Sequence, residues 1–189
     1  MILNYCLCCD EDVPCNYVER HERTELTCAY CGFVLDVQKL WDADKASEGY
    51  ALVAEDSQLV NNIIVNALKS RMFSKNIAAF NNGLELITAY SKLISEKAAI
   101  DIAIIDLNMP IMDGLTTART IRSIEKQHNL QSVPIIFFSS VKADNSLKSQ
   151  MELLAPAGYM NKGSDSHPER LAERVEQLVG HIIEKYRSQ

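Results

Sequence analysis

The chain has 189 residues, 47% of them hydrophobic, and a formal net charge of −6. That accommodates one domain of ordinary size plus a small module with enough apolar content for a core, which excludes disorder throughout and two large domains. No stretch approaches the ~18 uncharged apolar residues of a membrane span. The opening MILNYCLCCDED lacks the basic start of a signal peptide, so a cytoplasmic location is the expectation.

Charge and cysteine are both uneven along the chain. Residues 1–49 hold four basic residues and ten acids, whereas the remainder is balanced, so the whole net charge sits in the N-terminal quarter. All six cysteines (Cys6, Cys8, Cys9, Cys15, Cys28, Cys31) precede residue 32. An acidic segment gains nothing from a phosphate backbone, which speaks against nucleic acid as the partner.

Residues 1–35 are too few for a core without a metal, disulfides or a partner. Cys6 and Cys9 are spaced C-x-x-C, and Cys28 and Cys31 repeat that spacing. Two such pairs supply four thiolates in a tetrahedron, which suits Zn²⁺, with iron as the alternative the same sulfurs accept. Two disulfides or a redox C-x-x-C are the competing readings, and His21 could replace one thiolate. Short strand-like segments flank Cys28 (Glu25-Leu26-Thr27, then Phe33-Val34-Leu35), so the expected form is a ribbon of two knuckles. The run CAYCGFVLD from Cys28 to Asp36 resembles the second knuckle of zinc-ribbon proteins and of rubredoxins. The first knuckle departs from that pattern, because Cys8 competes with Cys6 and Cys9 and no glycine follows. A closed four-thiolate site is structural, and its expected role is to present a surface to a partner.

Residues 36–49 read as an acidic linker with Trp41, the single tryptophan. From Tyr50 apolar runs at 50–54, 77–80, 100–105, 133–138 and 158–160 alternate with helical stripes, the last through Leu171, Val175, Leu178 and Ile182. The stripe at 147–154 is weaker. Five strands alternating with five helices predict an α/β, doubly wound (βα)5 parallel sheet with helices on both faces. Ligands of such sheets lie at the carboxyl ends of strands. Those ends carry Glu55 and Asp56, Asp106, Ser139, and Tyr159 with Lys162. Clustered carboxylates repel one another unless a cation offsets them, which points to a hard ion, Mg²⁺. Asp106 alone could be a strand-end turn residue, Glu55-Asp56 a favourable helix start, and Tyr159 ordinary packing. Asp113-Gly114 is expected to cap the third helix.

The motifs ALVAEDS (51–57), IIDLNMPIMDG (104–114), VPIIFFSS (133–140) and GYMNKG (158–163) give residues 50–187 a close resemblance to the receiver domains of bacterial response regulators in two-component signalling. The resemblance implies the flavodoxin-like strand order 2-1-3-4-5. It implies that Asp106 accepts a phosphoryl group from a histidine kinase or phosphotransfer protein. Glu55, Asp56, Asp106 and the backbone carbonyl of Asn108 would hold Mg²⁺. Lys162 would bind the phosphoryl oxygen, Ser139 would move to bond it, and Tyr159 would turn inward in response. The family carries proline after the lysine, typically with a cis bond. Gly163 stands here, and a cis bond before it costs about 2.5–4 kcal/mol, so a different loop shape is expected. The implied protein is a phosphorylation switch, not an enzyme, acting on a downstream protein target, with the zinc module as adaptor or output. A nucleic-acid-binding regulator and a receiver scaffold that is never phosphorylated are the alternatives. Dimerisation through the fourth and fifth helices is common in the family.

Overall fold

The structure is a computed structural model that describes residues 3–6, 9, 11–20, 23–31, 35, 47–70, 73–140 and 144–162. The C-terminal helical stripe through Ile182, the linker around Trp41, Cys8 and Gly163 lie outside the described residues.

The apolar runs form strands where expected, with shifted ends. They are β4 (Ser47–Ala54), β5 (Ser74–Phe80), β6 (Ile100–Asp106), β7 (Ile135–Ser139) and β8 (Ala157–Asn161). Between them lie α1 (Gln58–Ser70), α2 (Gly83–Ser95), α3 (Gly114–Gln127) and α4 (Asn145–Glu152). All neighbouring strands pair in parallel, in the order β5-β4-β6-β7-β8. Numbered from β4, this is the expected 2-1-3-4-5.

The sheet is buried on both faces, which is why its strands read as unbroken apolar runs. On one face Val53, Ile104, Phe138 and Met160 pack with Ile64 and Leu68 of α1. On the other, Ala103, Ile105 and Phe137 pack with Leu86 and Tyr90 of α2 and Ile121 of α3. Each Ile or Phe fully buried there contributes about 1.5–3 kcal/mol.

Caps set the helix starts. Asp113 accepts from the Thr116 amide at 2.8 Å, as the sequence predicts. Asn82 and Asp144 do the same for Glu85 and Leu147. The Asp144 cap starts α4 two residues ahead of the apolar stripe that begins at Leu147. In β4 the strand opens at Ser47, three residues before the apolar run, because Ser47 already pairs with Ser74.

The N-terminal module is a three-stranded antiparallel sheet in the order β1 (Leu3–Cys6), β2 (Glu11–Arg20), β3 (Arg23–Cys28). β2 is a strand that the sequence patterning misses. It carries three acids and Pro14, yet it is held on both sides, with Leu3 opposite Pro14 and Cys15 opposite Cys28. Beyond β3 the Leu35 amide donates to the Leu26 carbonyl at 2.7 Å, while Phe33 and Val34 of the strand-like FVL segment lie outside the described residues.

Candidate functional site

Two neighbouring strands bring the acids together. Glu55 and Asp56 follow β4, and Asp106 ends β6, the neighbouring strand. One carboxylate oxygen from each lies within 4.8 Å of the others. Glu55 is fully buried, Asp106 is 3% exposed, and Asp56 faces solvent. A buried amide fixes the pair: Asn61 of α1 donates from Nδ2 to the Glu55 carbonyl and to the Phe80 carbonyl, both at 3.1 Å. The ends of β4 and β5 are thereby locked to the first helix. The Glu55 amide also bonds the Phe80 carbonyl, and the Ser57 amide donates to Glu55 Oε1.

Lys162 enters from the end of β8. Its Nζ lies 2.8 Å from Asp106 Oδ2 and 2.8 Å from Glu55 Oε2, and donates to Glu55 Oε1 at 3.1 Å. It also stands 5.3 Å from the centroid of the Phe138 ring, in cation–π range. Lys162 therefore reaches the acids with Gly163 following it. The Lys162 amide donates to the Ser139 carbonyl at 2.7 Å, which joins the ends of β7 and β8.

Charge and burial compete in this cluster. Burial pushes the Glu55 carboxyl above the ordinary range; Lys162 pulls it back, and the Asp106 charge adds to the upward shift. Burial opposes the Lys162 charge, but its bonds to Asp106 and Glu55 outweigh that and hold the ammonium above its usual pKa. Among the described residues the fully buried Glu55 Oε2 meets only the Lys162 ammonium, so lone-pair capacity remains on that oxygen. Oxygen donors from three acids, one with capacity to spare, fit a hard divalent ion such as Mg²⁺.

The loop after β6 is built around the strand end that carries Asp106. The Asn108 amide donates to Asp106 Oδ1 at 3.2 Å, and the Gly114 amide donates to the Leu107 carbonyl at 3.0 Å. A Cβ on Gly114 would collide with the Asp106 carbonyl oxygen and stand 2.9 Å from Leu107 Cα, so the turn into α3 requires glycine. Ser139 is fully buried at the end of β7, opposite Asn161. Tyr159 is buried within the cluster packed by α2 and α3. The structure thus brings Glu55, Asp56, Asp106 and Lys162 into one site with Ser139 at its rim. Sequence reasoning missed Asn61, which in a helix of mixed pattern reads as a solvent-facing amide.

The N-terminal sheet and the turns beside it hold a second cluster. One sulfur each from Cys6, Cys9, Cys28 and Cys31 lies within 4.8 Å of the rest. Cys6 and Cys31 sulfurs are 3.6 Å apart, and those of Cys9 and Cys28 are 3.8 Å apart. An S–S bond is about 2.05 Å, so these pairs are not disulfides. A tetrahedron with Zn–S bonds of about 2.3 Å has edges of about 3.8 Å, close to these two separations. The Tyr30 and Cys31 amides both donate to Cys28 Sγ, at 3.3 and 3.4 Å, which holds that sulfur in place. The S–H donors of Cys31 and Cys9 draw the Cys6 thiol down to about 3, against its burial. Cys31 and then Cys6 drive Cys9 the other way. A dication would relieve that opposition. Cys15 stands apart, accepting from Asn4 Nδ2 and bonding the Val13 carbonyl.

A parallel five-stranded α/β sheet with a lysine-bridged acid cluster at its carboxyl edge defines a flavodoxin-like protein of the receiver class. The chain belongs to the response regulator receiver domain family, whose model matches residues 51–176. A relative from Methanosarcina acetivorans, named protein-glutamate methylesterase/protein-glutamine glutaminase 1, is 31% identical over 132 residues, covering 69% of this chain. The chain spans about a third of that relative's length (34%). Among solved structures, the receiver domain of the Arabidopsis thaliana histidine kinase CKI1, complexed with Mg²⁺ and BeF₃⁻, aligns with a TM-score of 0.55. The two are 20% identical, and the alignment covers 70% of this chain and 93% of that one. A chain in the Saccharomyces cerevisiae complex of the phosphotransfer protein Ypd1 with the Ssk1 receiver domain aligns at a TM-score of 0.52. Identity there is 20%, with 65% of this chain and 83% of that one covered. No helix among the described residues is long and apolar enough to cross a membrane.

Proposed function

We propose that this protein is a phosphorylation switch in which Asp106 accepts a phosphoryl group from a phosphohistidine donor. The observation that carries the reading is the cation at the acceptor: Lys162 Nζ 2.8 Å from Asp106 Oδ2, beside a buried Glu55. An Asp106 carboxylate oxygen attacks the phosphorus as the P–N bond to the donor imidazole breaks. The bonding pair returns to the imidazole nitrogen, which takes up a proton, and an aspartyl phosphate remains.

Mg²⁺, held by Glu55, Asp56, Asp106 and the backbone carbonyl of Asn108, would offset the repulsion between carboxylate and incoming phosphoryl group. The CKI1 receiver complexed with Mg²⁺ and BeF₃⁻ supports that ion. Lys162 exchanges its contact with Asp106 for a phosphoryl oxygen, Ser139 donates its hydroxyl to another, and Tyr159 follows Ser139. The Ypd1–Ssk1 complex supports a histidine kinase or phosphotransfer protein as the donor.

We take residues 1–35 as a Zn²⁺ ribbon on Cys6, Cys9, Cys28 and Cys31 that serves as adaptor or output. The linker expected over 36–49 gives way to β4 at Ser47, and the receiver runs from there to residue 187. The tetrahedral sulfur spacing supports the metal.

The test is intact mass after incubation with acetyl phosphate and Mg²⁺, under conditions that retain bound metal. The expected result is one phosphoryl adduct, lost in Asp106→Asn and on chelation of Mg²⁺. An unmodified wild-type chain, with acetyl phosphate and again with a phosphohistidine donor, would overturn the reading.

A further inference from the structure

The ribbon is not a free appendage. Cys6, Val13 and Cys28 belong to the same contiguous buried cluster as Ile64, Phe138 and Met160, and Cys9, Cys31 and Leu35 pack against it. Ribbon and receiver also share a cleft. Its ribbon wall is Cys9, Glu11, Tyr30 and Cys31, and its receiver wall is Lys148 of α4 with Tyr159 and Asn161 of β8.

Both walls join the two sites already described. On the ribbon side, Cys9 and Cys31 are members of the four-sulfur cluster, and Tyr30 donates its amide to Cys28 Sγ. On the receiver side, Asn161 pairs with Ser139 and immediately precedes Lys162, whose ammonium contacts Asp106. The cleft is therefore separated from the acceptor carboxylate by one strand end. It is separated from the sulfur cluster by nothing.

We propose that this cleft is a docking interface in cis, at which the ribbon rests on the α4–β8 edge and senses the state of Asp106. The inference rests on Asp106 being a phosphoryl acceptor. Phosphorylation adds negative charge at Asp106 and draws Lys162 and Ser139 toward it, and these are the groups that anchor the strand end lining the cleft. The ribbon and linker carry the whole −6 of the chain, and Glu11 stands in the cleft itself. Added negative charge and a displaced β8 both weaken docking. Linkage is reciprocal, so a ribbon that docks poorly favours the phosphorylated receiver by the same factor.

The experiment uses the full metal-loaded chain. Amide hydrogen exchange is followed with Mg²⁺ alone and with Mg²⁺ plus beryllofluoride, and intact mass after acetyl phosphate is recorded on the same preparation. Exchange across residues 3–31 is expected to accelerate in the beryllofluoride state. Lys148→Glu, which sets a like charge against Glu11, and Tyr30→Ala, which empties the cleft from the ribbon side, are expected to tighten the binding of beryllofluoride in the presence of Mg²⁺. A coupling of ordinary strength gives at least about fivefold. Retained metal in each variant reports an intact ribbon, so a folding defect is not mistaken for release.

An Asp106 adduct accompanied by unchanged ribbon exchange and unchanged beryllofluoride affinity in both variants would overturn the interface while leaving the proposed function standing. Absence of any adduct on the wild-type chain would overturn both.

Discussion

The side-chain amide of Asn61 donates 3.1 Å to the carbonyl of Glu55, from a buried position on the first turns of α1. The same nitrogen reaches Phe80 on the adjacent strand. One amide therefore fixes the height of the acid pair against the sheet. Asn61→Ala leaves two buried carbonyls without this donor and is expected to cost about 1–3 kcal/mol. It is also expected to weaken Mg²⁺ binding, because Glu55 and Asp56 lose their reference point. Urea denaturation and a calorimetric Mg²⁺ titration read the two effects separately. An unaltered unfolding midpoint would show that the amide does not tie the strands.

Lys162 competes with any cation for the same carboxylates. Its ammonium is in contact with both Asp106 and Glu55, and its side chain is only 18% exposed. Lys162→Met removes that rival and leaves the acids facing one another. Mg²⁺ affinity is expected to rise by about tenfold, equivalent to about 1.4 kcal/mol. Without the divalent ion the variant is expected to be less stable than wild type, since an uncompensated buried carboxylate is left behind. Phosphorylation should no longer alter hydrogen exchange at β8. Equal Mg²⁺ affinity in the two chains would argue against competition.

Much of this was legible before the structure. Strands buried on both sides can hardly be anything but apolar runs, so β4, β6 and β7 stand out, and the acids at their ends follow. What escaped was written in residues whose role depends on distant partners. β2 carries Glu11, Asp12 and Pro14, which read as loop, and becomes a strand only because β1 and β3 flank it. Glu125 lies in the polar run IRSIEKQ, which looks solvated, yet it is 2% exposed. Its contacts come from 35 residues upstream in Tyr90 and from the amide of Val133, a separation no local pattern encodes.

That buried network gives a pH prediction. Tyr90 Oη donates to Glu125 Oε1 at 3.0 Å, and Arg122 donates to both oxygens of Glu125 and to the carbonyls of Val133, Leu154 and Pro156. Burial first, and the Glu125 charge second, hold the phenol well above its ordinary pKa. A group raised in the fold stabilises fully below its unfolded pKa of about 10, and the contribution declines as pH climbs from there toward the folded value. Tyr90→Phe is expected to cost about 0.5–1.5 kcal/mol at pH 8. The gap between wild type and variant should narrow by pH 11. Urea midpoints across that range test it, and a gap independent of pH would contradict it. Glu125→Ala strands Arg122 and should cost more, about 3–5 kcal/mol.

The two cysteines of one cross-strand pair should behave in opposite ways. Cys15 and Cys28 face each other across β2 and β3, but only Cys28 belongs to the four-sulfur cluster. Cys28 also accepts two backbone amides, which fix the position of its sulfur in the loop. Cys28→Ser is expected to abolish metal binding and to speed hydrogen exchange across β1–β3. Cys15→Ser, which gives up contacts only to Asn4 and Val13, should keep one metal per chain. Native mass spectrometry counts the ion and identifies it as zinc or iron. Loss of metal in Cys15→Ser would assign a ligand set different from Cys6, Cys9, Cys28 and Cys31. Because the cluster sulfurs pack into the receiver's own core, metal loss should also lower the receiver's unfolding temperature. A ribbon that merely trailed from the domain would leave that temperature where it was.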